Sequence, residues 1–246
     1  MDAAERIIVA LDTDVEQARL LALRLRDRAH WLKVGMTLYY AVGQAIVAEF
    51  KEMGYKVFVD LKIHDIPHQA RGATRAVVAA GADMLTVHAA GGSAMMQAAY
   101  QGAEEGFATR ALHLDFGEAD YRREQPICLA ITVLTSLDSD TLASIGVYSE
   151  PASQALRLAY LARNAGMDGI VCSPEETAAI RQEFGRGFVM VTPGVRPEGA
   201  EQGDQLRIAT PKLALEAGAD YLVIGRPITE AADPLAAFEA IAEEME

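Results

Sequence analysis

Eight short runs rich in aliphatic and β-branched residues recur at fairly regular intervals: RIIVALD (6–12), HWLKVG (30–35), KVFVDLK (56–62), DMLTVHA (83–89), ICLAITVLT (127–135), DGIVCS (168–173), FVMVTPG (188–194) and DYLVIG (220–225). Runs of this length, bounded by Gly, Asp and Pro, are expected to be buried strands. Between them lie Ala- and Leu-rich segments of helical period. In DVEQARLLALRLRD (14–27), Ala18, Leu21, Ala22 and Leu25 share one face, and helices are likewise expected over 67–81, 151–166, 173–185 and 210–219. Several open on Ser or Thr followed by Pro and close on Gly, as helix ends require. Strict alternation of strand and helix calls for a parallel sheet. Eight such units in 246 residues match a closed (β/α)8 TIM barrel, whereas a doubly wound open sheet more often has about five or six strands.

No Gly/Ser/Pro-rich linker interrupts the series, so residues 1–246 are expected to form one barrel domain. Two stretches break the rhythm. LHLDFGEADYRREQP (112–126) suggests an extended loop or short helix before the fifth strand. VRPEGAEQGDQLRIA (195–209) is the longest piece without a clear period, and long ordered loops in compact domains are often functional.

The surface charge narrows the partners. Net charge is −13, and no Lys/Arg run exceeds the doublet Arg122-Arg123. Such a surface repels nucleic acid and anionic lipid, so any anionic ligand must be held by cations gathered locally. The apolar run near the N-terminus is too short for a signal-peptide core or a membrane span, which points to a cytoplasmic protein. Cys128 and Cys172 sit in apolar runs without a second ligand at metal spacing, and are expected to be buried free thiols.

In a barrel the chemistry gathers at the C-terminal ends of the strands, with phosphate sites after the seventh and eighth. Alternation along KVFVDLK sends Val57, Val59 and Leu61 toward the helices and Phe58, Asp60 and Lys62 inward. The same parity groups Ile8, Ala10 and Asp12, and pairs Trp31 with Lys33. Two acids and two bases then converge at three successive strand ends. A buried ion pair that merely closes the barrel is the alternative, but desolvation makes such pairs poor stabilisers, so four together favour function. A Lys held between carboxylates keeps its proton and can deliver it to a developing carbanion as a carboxylate leaves.

These residues also carry a resemblance. FVDLKIHDIP is similar to the Asp-x-Lys-x-x-Asp signature of the orotidine 5′-phosphate decarboxylase family, bacterial branch. The likeness extends through VALD (9–12), LKVG (32–35), VHAAGG (87–92), AITVLTS (130–136), VCSPEE (171–176), VTPGVRP (191–197), GDQLRI (203–208) and VIGRPI (223–228). It implies cofactor-free, metal-free conversion of orotidine 5′-monophosphate to uridine 5′-monophosphate and CO2, the last step of de novo pyrimidine synthesis. Lys62 would protonate C6, Asp60 would lie beside the departing carboxylate, Lys33 would bridge the charges and the ribose, and Asp12 would bind a ribose hydroxyl. Asp65 would enter the neighbouring subunit's site, making the active unit a homodimer. Thr135 would meet the pyrimidine edge, Arg196 and Gln205 would act from the loop after strand seven, and Gly225 and Arg226 would hold the phosphate. That last pair also makes independent sense, because Gly admits close approach to the backbone and the Arg fork suits phosphate oxygens. The family usually has Asn-Thr after Asp-Ile-Pro, where this chain has His68 and Gln69.

Rival readings leave different marks. Mg²⁺-dependent sugar-phosphate decarboxylases or aldolases of the same superfamily are expected to carry a Glu ligand where Lys33 stands, and a Lys repels the cation. A silent phosphate-binding barrel would keep IGRP and break the charge array. His64 is expected in a loop and His88 as a hydrogen-bonded support, with His30 and His113 on the surface; none has metal or triad spacing. VHAAGG lacks a dinucleotide fingerprint. Met95-Met96 and Tyr39-Tyr40 are expected to pack.

Overall fold

The computed structural model describes residues 2–112, 125–197 and 209–246. Each of the eight apolar runs forms a strand: β1 (Ile7–Ala10), β2 (Trp31–Gly35), β3 (Lys56–Ile63), β4 (Met84–His88), β5 (Ile127–Ile131), β6 (Gly169–Val171), β7 (Val189–Thr192) and β8 (Tyr221–Ile224). All neighbours pair in parallel in sequence order, and β1 pairs with β8, so the sheet closes into the expected (β/α)8 barrel.

The expected helices are present as Val15–Leu25, Pro67–Ala79, Pro151–Asn164, Pro174–Phe184 and Pro211–Glu216. Ala18, Leu21, Ala22 and Leu25 are all buried, as their spacing requires. Thr210 caps its helix by accepting the Leu213 N–H, with Pro211 in the first turn. The helix Gly92–Ala111 has a weak periodic signal because small residues surround it; Met95 and Met96 lie buried along it. Its Gly102 and Gly106 meet the helix Pro67–Ala79 so closely that a Cβ at Gly102 would lie 2.1 Å from the Arg71 carbonyl oxygen. Tyr39 is half-buried, but Tyr40 is exposed, contrary to the packing expectation. Tyr40 follows the buried Leu38 by two positions on a short helix, which turns it away from the core.

Alternation divides the apolar residues into layers. Ile8, Trp31, Phe58, Met84, Leu129, Val191 and Tyr221 fill the barrel interior. Val57 and Val59 join the layer between barrel and helices, and Leu61 packs against it. Full burial contributes roughly 1.5–3 kcal/mol for each large aliphatic or aromatic side chain, so the layers hold the strand ends in place.

A recurrent clamp secures the opposite end. Asp83, Asp168 and Asp220, each following Ala-Gly-x, accept the N–H of Val57, Cys128 and Met190 at 2.7, 2.8 and 2.8 Å. Each joins the start of one strand to its predecessor. Chemistry at the mouth is therefore built on a fixed floor.

Candidate active site

A cavity of about 520 Å³ opens at the C-terminal ends of the strands. Its wall includes Asp12, Lys33, Asp60, Lys62, Thr135, Arg196, Gly225 and Arg226. Its sides differ in character: the ends of β1 to β3 supply acids and bases together, Arg196, Arg226 and Glu230 come from after β7 and β8, and Ile131, Val133, Val171 and Val223 supply an apolar face.

The charges form one chain. Lys33 Nζ lies 2.9 Å from Asp12 Oδ1 and 3.6 Å from Asp60 Oδ2, and Lys62 Nζ lies 2.8 Å from the same Asp60 oxygen. Acid and base thus alternate from Asp12 to Lys62. Lys33 and Asp60 are buried, 6% and 8% exposed, whereas Asp12 is exposed at the rim. Burial by itself would push the Asp60 carboxyl up, but Lys33 and Lys62, with hydrogen bonds from Lys62 and Thr86, hold it below the usual carboxylate range. Asp60 is therefore a fixed anion shared by two ammonium groups.

Regular alternation does not fully describe how Lys62 reaches the cavity. Val59 pairs with Leu85 and Ile63 with Val87, so β3 advances four residues while β4 advances two. Within this bulge Lys62 has φ 50°, the only positive φ at a non-glycine among the described residues. A left-handed non-glycine costs roughly 1–2 kcal/mol, and such strain clusters where a side chain must be re-aimed. The Lys62 N–H donates to Thr86 Oγ1 at 2.9 Å, and that hydroxyl donates to Asp60 Oδ1 at 2.8 Å.

Two supporting residues went unrecognised in the sequence. Thr86 gave a readable signal, being a polar residue on the inward parity of β4 with Met84 and His88. Gly35 lies in LKVG, but its reason appears only in space: a Cβ there would lie 2.5 Å from Asp12 Oδ1 and 3.0 Å from Lys33 Nζ. Only a residue without a side chain lets this ion pair rest against the backbone.

The side of the cavity that follows β7 and β8 has a different construction. Arg196 is buried, donates to the Val195 carbonyl at 3.0 Å and lines the cavity. Its backbone N–H donates to Ala209 O at 2.9 Å, and Val195 bridges to Ala209, tying together the two ends of the aperiodic stretch. Gln205 lies outside the described residues, as do His113 and most of the 112–126 insert. Gly225 follows β8 as the N-cap of the next helical turn, which Arg226 opens, and both line the cavity.

Apart from Cys172, the remaining candidates lie outside this wall. Asp65 is exposed beyond β3 and accepts the Ile66 N–H at 2.7 Å; it does not line its own chain's cavity. His68 and Gln69 are exposed at the start of the helix Pro67–Ala79. His64 stacks on His88 at 5.2 Å between ring centroids, while His88 Nδ1 accepts the Ala90 N–H. Burial, followed by His64 and Lys62, lowers the His88 pKa. His30 is exposed. Cys128 and Cys172 are buried free thiols; Cys172 lines the cavity with its pKa pushed up to about 12 by burial. Among the described residues, no group of three or more His, Cys, Asp or Glu could hold a metal ion, and no helix is long and apolar enough to cross a membrane.

Known proteins match this arrangement over nearly its full length. The profile described as "Orotidine 5'-phosphate decarboxylase / HUMPS family" matches residues 5–241. A Moorella thermoacetica protein named orotidine 5′-phosphate decarboxylase is 50% identical over 248 aligned residues, covering 100% of this chain and 94% of the relative. A Vibrio parahaemolyticus protein of the same name is 42% identical, covering 98% of this chain and 97% of that one. The solved structure titled orotidine 5′-phosphate decarboxylase from Lactobacillus acidophilus superposes with a TM-score of 0.83 at 38% identity, covering 98% and 99% of the two chains.

Proposed function

The chain belongs to the orotidine 5′-phosphate decarboxylase / HUMPS family, and from that premise we propose that it is a carboxy-lyase converting orotidine 5′-monophosphate to uridine 5′-monophosphate and CO2 in pyrimidine synthesis. The observation that carries this reading is the Lys33 ammonium between Asp12 and Asp60. It occupies the place where a metal-dependent sugar-phosphate enzyme would need another carboxylate, and its charge opposes divalent-cation binding.

In the proposed reaction, the C6–carboxylate bond breaks heterolytically, CO2 leaves, and the electron pair remains on C6. Lys62 then donates a proton from Nζ to that carbon, and solvent reprotonates the amine. No cofactor takes part. Asp60 holds Lys62 and Lys33 at fixed positions, so little reorganisation accompanies the charge shift. An acceleration near the upper end of the enzymatic range needs about 23 kcal/mol of transition-state stabilisation, far beyond one ion pair. Binding the phosphate through Gly225 and Arg226, with Arg196 in the same cavity wall and Gln205 in the role the resemblance gives it, would supply energy remote from the reacting carbon. Asp12 and Lys33 would bind ribose, and Thr135 the pyrimidine edge.

Two copies are proposed to form the active unit, with Asp65 reaching the partner's cavity; its exposed position beyond β3 supports that reading. The whole chain would act as a single cytoplasmic catalytic domain. Incubation of EDTA-treated protein with orotidine 5′-monophosphate, followed by ultraviolet absorbance, tests the function. Rapid metal-independent conversion is expected; inertness, or activity only with Mg²⁺, would refute it.

A further inference from the structure

We propose that Thr86 is a positioning residue for the decarboxylation, one hydroxyl holding both the Lys62 backbone and the Asp60 carboxylate. This rests on the roles given above to Lys62 and Asp60. Thr86 has no exposed surface and stands on β4 opposite the bulge, between the two points where β3 and β4 are in register. A bulge leaves backbone groups without ladder partners. Here the Lys62 N–H is satisfied by Thr86 Oγ1 instead.

The direction of both bonds is fixed by chemistry. A backbone N–H can only donate and an ionised carboxylate can only accept, so the single hydroxyl proton goes to Asp60 while an oxygen lone pair receives Lys62. Of the side chains closest in shape, Ser keeps both capacities, whereas Val would leave an N–H and a carboxylate oxygen unpaired in a buried site. Threonine is also a common packing residue in strands. Packing by itself, however, does not direct both capacities of the hydroxyl to the two residues given the central chemistry. The left-handed backbone at Lys62 adds a second demand: a strained conformation persists only when its surroundings over-determine it. Thr86 supplies that constraint from the neighbouring strand.

The test compares Thr86→Val, which approximates the shape and removes the hydroxyl, with Thr86→Ser, which retains it. Loss of hydrogen bonds involving a charged group predicts a roughly ten- to hundredfold fall in kcat for Val. KM should change little, because Thr86 is not among the groups given to phosphate or ribose. The acidic limb of the kcat profile should move to higher pH, since the lost hydrogen bond favoured ionised Asp60. Ser should retain most of the activity and the original limb. Wild-type kcat in the Val variant, an unmoved acidic limb, or an equal loss in Ser would overturn the proposal. If the Val variant does not fold, Thr86→Ala against Thr86→Ser gives the same contrast, and equal losses again overturn it. Failure of the parent reading is distinct, because the unsubstituted protein would then be inert toward orotidine 5′-monophosphate.

Discussion

Replacing Gly35 with Ala should separate stability from activity. The residue has φ −86° and ψ −177°, a conformation that alanine adopts without strain. Restricting the unfolded chain favours Ala by roughly 0.4–1 kcal/mol, while Ala is a poorer helix N-cap than Gly, at a cost of up to about 1 kcal/mol. These effects nearly cancel, and the atom in conflict belongs to Asp12, whose side chain is 58% exposed and can turn into solvent. Lys33 is buried but keeps Asp60 as a partner at 3.6 Å, so its charge is not left uncompensated, and global stability should stay within roughly 1–2 kcal/mol of the parent. Activity should respond differently. A Cβ placed 2.5 Å from Asp12 Oδ1 forces that oxygen away and breaks its 2.9 Å contact with Lys33. Loss of a charge-assisted positioning bond predicts a fall in kcat/KM of roughly tenfold or more. Urea unfolding and steady-state decarboxylation, followed by ultraviolet absorbance, measure the two quantities on the same sample. Wild-type kcat/KM would refute the claim that Gly35 makes room for the charge array. A loss of several kcal/mol would show that its main role is in the fold.

Lys62→Ala should abolish product formation while calorimetry still detects uridine 5′-monophosphate binding; near-normal turnover would end the proton-donor assignment. Arg226→Ala should raise KM by tenfold or more, the scale of a lost charge-assisted contact, with a smaller effect on kcat; an unchanged substrate dependence would contradict the phosphate role. Mixing inactive Lys62→Ala and Asp65→Asn subunits should restore up to about a quarter of the activity, since random exchange makes half the dimers mixed, each with one complete site. No recovery, with exchange verified by mass spectrometry, would count against sites shared between subunits.

Much of this architecture is written as local pattern. The buried face Ala18, Leu21, Ala22 and Leu25 follows from a 3.6-residue period, and the strand alternation of Val57, Phe58 and Val59 from a period of two. Eight repetitions of that alternation leave little choice but a closed parallel sheet. Parity also directs attention to Asp12, Lys33, Asp60 and Lys62, because charges on an inward face are costly unless paired or used. The weakly amphipathic helix Gly92–Ala111 is harder to read: its small residues respond to a neighbouring backbone, which no window along one segment contains.

What sequence determines by itself, then, is the sequence of elements, the face each presents and the residue types delivered to the barrel mouth. These depend on neighbours a few positions apart. Tertiary structure decides the register of β3 against β4, the left-handed turn at Lys62, the reach of Thr86 to two residues of another strand, and the space at Gly35 filled by the Asp12–Lys33 pair. Each depends on atoms from separate strands, and alternation gives the side of a residue without giving its partner across the sheet. The charge order Asp12, Lys33, Asp60, Lys62 comes into being only when three strand ends are held side by side by the closed barrel.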